Sequence, residues 1–427
     1  MNKRVVVTGV GVVAPNGVGR KNFLNAIKAG KSGIKFIPKL KELNFGCQIG
    51  GIPDISNSSY NNLIDNYGIS PYSITIKYAC IAGLEAWEDA GFAIPDYDSA
   101  EINHECGIII GSSVGNVELW GEMVVPLVNR GILKRLGGRT MEQVMFSSPG
   151  AHLSGILALG NMAVANSNAC ATGTDSILLG YERIKDGKAR IMMVGGTEGC
   201  SPYAWAPLDS ARITTRKYND RPGSGSRPMS ASASGFVPGA GAGILVIEDM
   251  ESALNRNAEI YAEISGGHIN CGGQRQGGSM SAPNSNGVRK CIEEAIKDAK
   301  IKPEEIDCIS GHLTSTMADS LEIKNWADAL NRKKSGFPYV NSLKSMTGHC
   351  LGASGAIETI ASLMEIYHNF IHPSLNCEDL DSEIAEMVDE NLIPGKTISN
   401  INVNCIAKAS FGFGDVNSCL ILKKFDE

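Results

Sequence analysis

Predicted strands and helices alternate along the chain, and this alternation limits the fold more than any other feature of the sequence. Short apolar runs rich in Val and Ile are separated by stretches whose apolar residues recur at helical spacing. The predicted strands are 5–7 with 10–13, 106–113, 191–198, 242–249, 260–268, 306–312, 338–342 and two strands within 398–425. The predicted helices are 73–90, 176–187, 287–300, 319–330 and 355–367. The pattern predicts an α/β architecture with mainly parallel sheets.

A similar order of elements occurs twice, which indicates an internal duplication. We predict an N-terminal half at 1–252 and a C-terminal half at 258–427. The stretch 222–235 is rich in Gly, Ser, Pro and Ala and has no periodicity, so we predict a loop there.

Composition and charge exclude several classes of protein. The chain has 427 residues, of which 43% are hydrophobic and 20% are charged, as in an ordinary globular protein. The net charge of −6 argues against broad nucleic-acid binding. No segment has 18 uninterrupted apolar residues, so we predict no membrane span. The twelve cysteines show no CxxC and no short His/Cys spacing, which predicts no metal site and reduced thiols in a cytoplasmic protein.

One cysteine stands apart from the other eleven. Cys170 lies in SNACATGT, between strand-like residues and a predicted helix, so it falls at or near a helix N-terminus. Free backbone N–H groups and the helix dipole stabilise a thiolate at such a position. The small neighbours leave room for a substrate. The alternative is a buried cysteine that only ends a strand.

Two histidines fall in comparable places in the second half. GHLTSTMADSLE places His312 at the end of a strand, and NSLKSMTGHCLGASGAIE places Lys344 and His349 in a polar loop before a helix. Active sites of α/β proteins gather at such strand ends. A thiol with one imidazole would suit a protease or an acyltransferase, and a second imidazole indicates a further step that needs donors to an oxyanion or a carboxylate. Taken singly, each histidine is more often a capping or core residue.

The chain resembles the β-ketoacyl-acyl carrier protein synthases of the thiolase-like condensing-enzyme superfamily, closest to the elongating type II kind. The resemblance covers the whole chain in order and rests on RVVVTGVGVVAPNG, ACATGT, GFVPGAGAG, GHLTST, KSMTGHCLGASGAIE and SFGFG. It implies a thiolase-like five-layered αβαβα fold from two duplicated halves. It also implies a homodimer or a heterodimer with a related ketosynthase.

The resemblance further implies an acyltransferase that performs a decarboxylative Claisen condensation. An acyl thioester on Cys170 would react with malonyl-acyl carrier protein to give a 3-oxoacyl-acyl carrier protein two carbons longer, in fatty-acid synthesis or a specialised polyene or polyketide-like pathway. The enzyme itself would need no cofactor or metal, since its substrates travel on the phosphopantetheine of acyl carrier protein. One alternative is a non-catalytic, chain-length-type partner subunit of another ketosynthase. Another is a biosynthetic thiolase, which would be expected to bring a second catalytic cysteine.

The resemblance also assigns roles to residues. Cys170 matches the nucleophile, His312 and His349 match the pair that assists decarboxylation and steadies the enolate, and Lys344 matches the lysine that organises their polar network. The backbone N–H groups of Cys170 and Phe413 match the oxyanion hole. The remaining matches are a gate loop of Gly412, Phe413 and Gly414, pantetheine-binding Thr314 and Thr316, and carrier-docking Lys134, Arg135 and Arg212.

Three motifs depart from the family pattern without touching the cysteine, the two histidines or the lysine. They are RPMSASASGFVPGAGAG, HLTSTMAD and ASFGFGDVN. Leu313 replaces a glycine beside His312 and is expected to alter the space near the pantetheine. Asp415 stands two positions after Phe413 and is expected to alter the freedom of the gate loop.

Overall fold

A computed structural model describes residues 3–96 and 98–426. Residues 1, 2 and 427, at the ends of the two predicted halves, lie outside the described residues. The strands are β1 (Val5–Ala14), β2 (Gly17–Val18), β3 (Ile34–Phe36), β4 (Ile49–Gly51), β5 (Cys106–Gly111), β6 (Ala163–Val164), β7 (Ile191–Glu198), β8 (Gly241–Asp249), β9 (Ala262–Cys271), β10 (Cys308–Ser310), β11 (Tyr339–Asn341), β12 (Phe370–Ile371), β13 (Ile398–Ser399), β14 (Cys405–Gly412) and β15 (Val416–Lys423).

Helices fill most of the segments between the strands. They are α1 (Arg20–Lys28), α2 (Pro38–Glu42), α3 (Ser58–Asn66), α4 (Ile74–Asp89), α5 (Val117–Leu119), α6 (Val125–Asn129), α7 (Arg139–Val144), α8 (Ser148–Ile156), α9 (Thr172–Lys185), α10 (Pro202–Ser210), α11 (Met250–Asn255), α12 (Ser285–Asp298), α13 (Ala318–Leu330), α14 (Lys344–Thr347), α15 (Ser354–His368) and α16 (Ser382–Ala385). A π-helical turn, Trp120–Val124, joins α5 to α6. No helix among residues 3–96 and 98–426 is both long and apolar enough to cross a membrane.

The large sheet shows the duplication directly. Its strand order is β11-β10-β14-β15-β9-β1-β8-β7-β5-β6, with β2 on the end of β1. The order is symmetric about the β9–β1 contact, so β1 corresponds to β9, β8 to β15, β7 to β14, β5 to β10 and β6 to β11. Corresponding neighbours also agree in being parallel or antiparallel. The repeated order of elements in the sequence therefore corresponds to a repeated topology.

The prediction of mainly parallel sheets is wrong. Among the described residues, four strand pairs are parallel and eight are antiparallel. Only the outer strands of each half, such as β5 and β10, run parallel to their neighbours. Near the centre, β14 turns directly into β15, and such a connection gives an antiparallel pair, whereas a parallel pair needs a crossover. β7 and β8 are also antiparallel, although the segment 199–240 between them contains α10.

The two half-sheets lie in a stack of five layers. Among the described residues, the strand pairing that joins them is that of β1 with β9, over three residues. One apolar cluster lies between α4, α8 and the N-terminal half-sheet, and another between α12, α13 and the C-terminal half-sheet. A third cluster surrounds α9 and α15, which contact strands of both halves. This order of layers is the αβαβα order implied by the resemblance.

The two central helices begin at equivalent points of the duplicated halves. A 3₁₀ turn precedes each of them, Ala169–Ala171 before α9 and Leu351–Ala353 before α15. The first residue of each turn has a positive φ, 47° for Ala169 and 49° for Leu351. Cys170 and His349 lie in or beside these turns. The pseudo-symmetry of the fold therefore brings the cysteine of one half to the histidine of the other.

Gly173 allows the two helix starts to meet, and Gly173→Ala tests this packing. A Cβ at position 173 would lie 2.8 Å from the backbone nitrogen of Ala356 and 2.9 Å from the carbonyl oxygen of Gly352. We expect the substitution to lower the free energy of unfolding by about 1–3 kcal/mol, although alanine is the better helix former. Urea denaturation measures the change. Gly395→Ala, where a Cβ meets no atom within 4 Å, is the matched control, and equal stabilities of the two variants would contradict the packing argument.

Candidate active site

Cys170, His312 and His349 meet at one end of the central layer. The Cys170 sulfur and one nitrogen of each imidazole all lie within 4.8 Å of one another. Cys170 is in the turn before α9, His312 follows β10 by two residues, and His349 lies between α14 and the turn before α15. The structure thus brings together three residues that the sequence placed in separate strand-end segments.

His349 is held so that it presents an N–H to the cysteine. The backbone N–H of Leu351 donates to His349 Nδ1 at 3.2 Å, and the Ser354 hydroxyl lies 2.9 Å from the same nitrogen. Because Nδ1 accepts, the proton of the neutral ring is on Nε2, which lies 3.0 Å from Cys170 Sγ. Burial, then the positive charges of Lys344 and Lys408, lower the pKa of His349 well below its ordinary value. The ring is therefore neutral and is a hydrogen-bond donor to sulfur.

His312 is fixed through its backbone, and its ring is left free. The N–H groups of His312 and Leu313 donate to the two carboxyl oxygens of Glu322, each at 2.7 Å. The ring lies edge-on to that of His349, with centroids 5.4 Å apart. Its Nδ1 is buried without a hydrogen-bond partner among the described residues. Burial is the main cause that lowers the pKa of His312 well below its ordinary value, followed by Lys344. A second neutral imidazole thus stands beside the thiol.

The Cys170 thiol is subject to opposing effects. Burial raises its pKa to about 11, while the charge of Lys344 and a hydrogen bond from the Phe413 backbone N–H act in the other direction. The stabilising helix terminus, which was the effect predicted from the sequence, lowers the pKa less than burial raises it. The thiol is consequently protonated at neutral pH, and the surrounding donors favour the thiolate as it forms.

The same three atoms are spaced as the ligands of a metal ion would be. A metal-bound imidazole nitrogen must offer its lone pair. In His349 the N–H of Leu351 occupies Nδ1 and leaves the proton on Nε2, so the nitrogen that faces Cys170 is a donor. The hydrogen-bonding pattern therefore fits proton and oxyanion chemistry better than metal binding.

The gate loop lies directly against the cysteine. A Cβ on Gly412 would be 3.1 Å from the backbone nitrogen of Cys170 and 3.2 Å from that of Ala171, so a larger residue would crowd the turn that carries the cysteine. The N–H of Phe413 points at the cysteine sulfur, while the Phe413 side chain is 41% exposed. The Phe413 N–H thus lies beside the reacting sulfur, and the oxyanion hole of Cys170 and Phe413 stays a prediction.

Asp415 ties the gate loop to a neighbouring loop. Its buried carboxylate accepts the backbone N–H groups of Gln274 at 2.9 Å and Asn284 at 2.8 Å. Its carbonyl oxygen accepts the N–H of Gly272 at 2.8 Å, and the N–H of Gly414 donates to the carbonyl of Met280 at 2.8 Å. The acidic residue expected to alter the freedom of the gate loop therefore holds that loop in place.

The segment after His312 contains the predicted pantetheine-binding threonines. The hydroxyls of Thr314 and Thr316 are 3.0 Å apart, and both residues are half-buried. Asp319 holds this segment by accepting the backbone N–H of Thr314 at 2.8 Å. The side chain of Leu313 is buried in the apolar cluster between α12, α13 and the C-terminal half-sheet. The effect of this leucine on the space near the pantetheine stays a prediction.

Behind the imidazoles is a buried charge network. Lys344 begins the one-turn helix α14, whereas the sequence had predicted a loop, and its ammonium pairs with Glu358 Oε1 of α15. Lys408 Nζ lies 2.9 Å from the other oxygen, Oε2. Sequence reasoning missed Glu358 and Lys408. The available signal was a single charged residue in each of two apolar runs, GAIETIASL and CIAKASFG.

The three predicted docking cations are on the surface, outside this cluster. Lys134 and Arg135 lie in the 3₁₀ turn Leu133–Arg135, and Arg212 follows α10. All three side chains are exposed. Within residues 3–96 and 98–426 they take part in no ion pair.

Comparison with known proteins gives matches over the whole chain. The family described as "Beta-ketoacyl synthase, N-terminal domain" matches residues 2–253, and "Beta-ketoacyl synthase, C-terminal domain" matches residues 261–378. The 3-oxoacyl-[acyl-carrier-protein] synthase 1 of Haemophilus influenzae is 33% identical, over 99% of this chain and 100% of the relative.

Two solved structures have the same fold over their full lengths. The ishigamide ketosynthase/chain length factor superposes with a TM-score of 0.87 at 26% identity and covers 100% of both chains. The second is a chain from the structure of a type II polyketide synthase acyl-carrier protein in complex with its ketosynthase bound to the hexaketide. It superposes with a TM-score of 0.85 at 27% identity, again over 100% of both chains. These similarities agree with the thiolase-like fold that the resemblance implied.

Proposed function

The chain belongs to the beta-ketoacyl synthase family, and from this we propose that it catalyses decarboxylative condensation of an acyl thioester with malonyl-acyl carrier protein. The product is a 3-oxoacyl-acyl carrier protein two carbons longer, made for fatty-acid synthesis or for a specialised polyene or polyketide-like pathway. One observation carries the proposal. His349 Nε2–H lies 3.0 Å from Cys170 Sγ, with the free imidazole of His312 alongside.

The first half-reaction transfers the acyl group to the cysteine. Cys170 sulfur attacks the thioester carbonyl, and the pantetheine sulfur leaves and takes up the proton that the thiol gives up. The carbonyl oxygen carries negative charge in between, and in this proposal the N–H groups of Cys170 and Phe413 stabilise it. Thr314 and Thr316 offer hydroxyls to the pantetheine arm.

The second half-reaction forms the carbon–carbon bond. The bond from the malonyl carbon to its carboxylate breaks, carbon dioxide leaves, and the electron pair remains as an enolate. His312 and His349 donate hydrogen bonds to the enolate oxygen, which is a role for neutral imidazoles. The enolate carbon then attacks the acyl carbonyl on Cys170, the carbon–sulfur bond breaks, and the cysteine leaves as a thiolate. The thiolate takes up a proton from solvent, which restores the resting thiol. Lys344 holds the polar network behind this step.

The alternatives are less well supported. A non-catalytic partner subunit usually lacks the cysteine, whereas Cys170 is present and faces His349. A thiolase would be expected to bring a second catalytic cysteine, but the neighbouring Cys350 is buried and its thiol points to the carbonyl oxygen of Thr347. Burial also raises the pKa of Cys350, which fits a packing role.

We propose an acidic acyl carrier protein as the partner. Four cations without an ion pair among the described residues fall within ten positions, namely Arg130, Lys134, Arg135 and Arg139. A cluster of this kind gives a protein of net charge −6 a local surface that an acidic partner can approach. Arg212 is the further docking residue.

Charge reversal tests the docking surface. We expect Lys134→Glu combined with Arg135→Glu to raise KM for acyl-carrier protein about tenfold at low salt, with a smaller effect at high salt. KM for a carrier-free acyl thioester should not change. Lys333→Glu with Lys396→Glu, two exposed lysines elsewhere, is the control. Equal KM values for the two double variants would contradict docking at this site.

We also propose a homodimer or a heterodimer with a related ketosynthase. The two-residue strand β6 leaves one edge of the large sheet open. Exposed apolar side chains on β6 and in the helical segment before it are Trp120, Val125, Val128, Leu133, Met141, Met145, Phe146 and Val164. Light scattering during size-exclusion chromatography is expected to give twice the chain mass, and a monomer at micromolar concentration would contradict the homodimer.

We propose that the enzyme binds no cofactor of its own and acts in the cytoplasm. The substrates travel on the phosphopantetheine of the carrier protein, and the two half-reactions above use only side chains and backbone groups of this chain. All twelve cysteines are free thiols, and eight of them are buried, which supports a reducing compartment such as the cytoplasm.

Intact-protein mass spectrometry tests the proposed function. The protein is mixed with a panel of acyl-carrier proteins, and malonyl-carrier protein is then added. We expect an acyl adduct on the enzyme, followed by release of carbon dioxide and a carrier-bound chain two carbons longer. An adduct that forms without later extension would favour a non-condensing acyltransferase. Absence of an adduct, also in the presence of a related ketosynthase-like subunit, would contradict the proposal.

A further inference from the structure

Lys408 is a buried lysine that the half-reactions above do not use. It lies on β14, in the middle of the run CIAKASFG, and its side chain is fully buried. Successive residues of a strand face opposite sides. Ala407 and Ala409 belong to the apolar cluster between α12, α13 and the C-terminal half-sheet, whereas Ile406 belongs to the cluster around α9 and α15. Lys408 therefore points into the central layer, toward α15 and the site.

Three oxygen atoms surround its ammonium group. The Lys408 N–H groups donate to the carbonyl oxygen of Ala409 and, at 3.0 Å, to the Ser410 hydroxyl. Glu358 Oε2 lies 2.9 Å from Nζ but off the direction that a hydrogen bond needs, so this contact is an ion pair. Two of the three N–H groups are thus used by the strand itself, while the charge attracts the carboxylate of Glu358.

Glu358 bridges two buried lysines. Its Oε1 pairs with Lys344 and its Oε2 with Lys408, and none of the three side chains is more than 2% exposed. One carboxylate between two ammonium groups leaves a net positive charge in the core. An uncompensated buried charge is costly, and the Lys344–Glu358 pair alone would have avoided it. The cost calls for a role in the reaction.

The surrounding groups cancel this charge only in part. Burial raises the pKa of Glu322, which also faces Lys408, to about 7, so Glu322 is partly ionised at neutral pH. Burial raises the pKa of Cys419 to about 12, so this thiol is neutral. Burial and Lys344 lower the pKa of Lys408, while Glu358 opposes the change. The positive charge is therefore directed at the two imidazoles.

Lys408 is also connected to the nucleophile by a short path. The Ser410 hydroxyl, which accepts from Lys408, lies 2.9 Å from the Thr174 hydroxyl. Thr174 is in the first turn of α9, four residues after Cys170. β14 itself continues into the gate loop, whose Phe413 N–H contacts the cysteine sulfur. The lysine thus lies where the imidazoles, the helix start and the gate loop converge.

We propose that Lys408 is a positioning residue for the condensation step: together with Lys344 it holds Glu358 between two ammonium groups and keeps a net positive charge behind His312 and His349. This inference rests on the proposed function. The charge keeps both imidazoles in their neutral, donating form, and it stabilises the enolate that carbon dioxide release generates. Acyl transfer to Cys170 depends on backbone N–H groups and is affected less.

Lys408→Met tests the proposal, since methionine replaces the lysine with little change of volume. We expect kcat for condensation to fall about 10- to 100-fold, while single-turnover acylation of Cys170 changes less than about threefold. Loss of a nearby positive charge raises the pKa of both imidazoles. The acid limb of the condensation rate should therefore move to higher pH by about one unit.

A histidine titration followed by NMR gives a readout that does not need substrate. Resonances of His312 and His349 are assigned from glutamine variants and titrated in the wild-type and Lys408→Met proteins. Ile406→Ala, on the same face of β14, is the control for a loss of stability without a loss of charge. Titration midpoints that rise only in Lys408→Met support the proposal.

Two results would overturn it. One is an unchanged condensation rate and unchanged midpoints in Lys408→Met. The other is a set of changes equal to those in Ile406→Ala at the same loss of melting temperature. If the wild-type protein condenses no substrate, the proposed function fails instead, and the titration still decides whether Lys408 controls the charge of the imidazoles.

Discussion

Replacing Cys170 with alanine is expected to abolish acyl-enzyme formation and to lower condensation by at least about 10⁴-fold. The sulfur is the only nucleophile that the structure places against His349 Nε2 and the Phe413 N–H among the described residues. A methyl group cannot form a thioester, so no slower route through the same intermediate remains. Intact-protein mass spectrometry after mixing with acyl-carrier protein measures the adduct, and product analysis measures the chain.

The variant should also separate the two half-reactions. His312 and His349 remain in Cys170→Ala, so slow release of carbon dioxide from malonyl-carrier protein should persist without chain extension. Cys271→Ala, which removes an exposed thiol elsewhere, is the matched control and should keep both activities. An acyl adduct of undiminished yield in Cys170→Ala would show that another residue is the nucleophile.

Much of the fold could be predicted because its strongest signals are local. β7 has the predicted bounds 191–198, and α4 differs from the predicted helix 73–90 by one residue at each end. The errors also have local causes. Pro207 interrupts the pattern of α10, and the start of α9 at Thr172 was missed because TGT has no apolar periodicity. The relative direction of β7 and β8 was not predictable, since nothing in the sequence of the long segment 199–240 between them indicates that the chain returns antiparallel.

The candidate active site was likewise predictable only in part. Cys170, His312 and His349 each lie in a short motif, and the duplicated topology then brings them together. Lys408 and Glu358 are separated by fifty positions, and each looks like a single charged residue in an apolar run. Their partnership exists only because β14 packs against α15. Sequence motifs therefore revealed the reacting groups, whereas the charge behind them required the three-dimensional structure.

Replacing His312 with alanine is expected to separate decarboxylation from acyl transfer. His312 has a free ring nitrogen beside the thiol, while the contact to Cys170 Sγ is made by His349. Loss of one donor to a developing oxyanion typically costs about 10²–10³-fold in kcat. We expect decarboxylation and condensation to fall by this factor, and single-turnover acylation of Cys170 to change less than about threefold. Carbon dioxide release and the acyl adduct are measured in parallel on the same protein.

His349→Ala is the comparison variant for His312→Ala, because the two are expected to differ in their effect on acylation. His349 contacts the sulfur directly and, in the proposed mechanism, also donates to the enolate oxygen, so its loss should slow acylation as well as decarboxylation. Neither alanine variant leaves a buried charge without a partner, because both imidazoles are neutral in the native protein. His349→Ala should lower the melting temperature more than His312→Ala, because it leaves the buried N–H of Leu351 without its acceptor. The kinetic patterns are therefore compared at a temperature at which both variants are folded. If both variants lost acylation equally, the division of labour between the two histidines would be wrong, and the pair would act as one unit in both half-reactions.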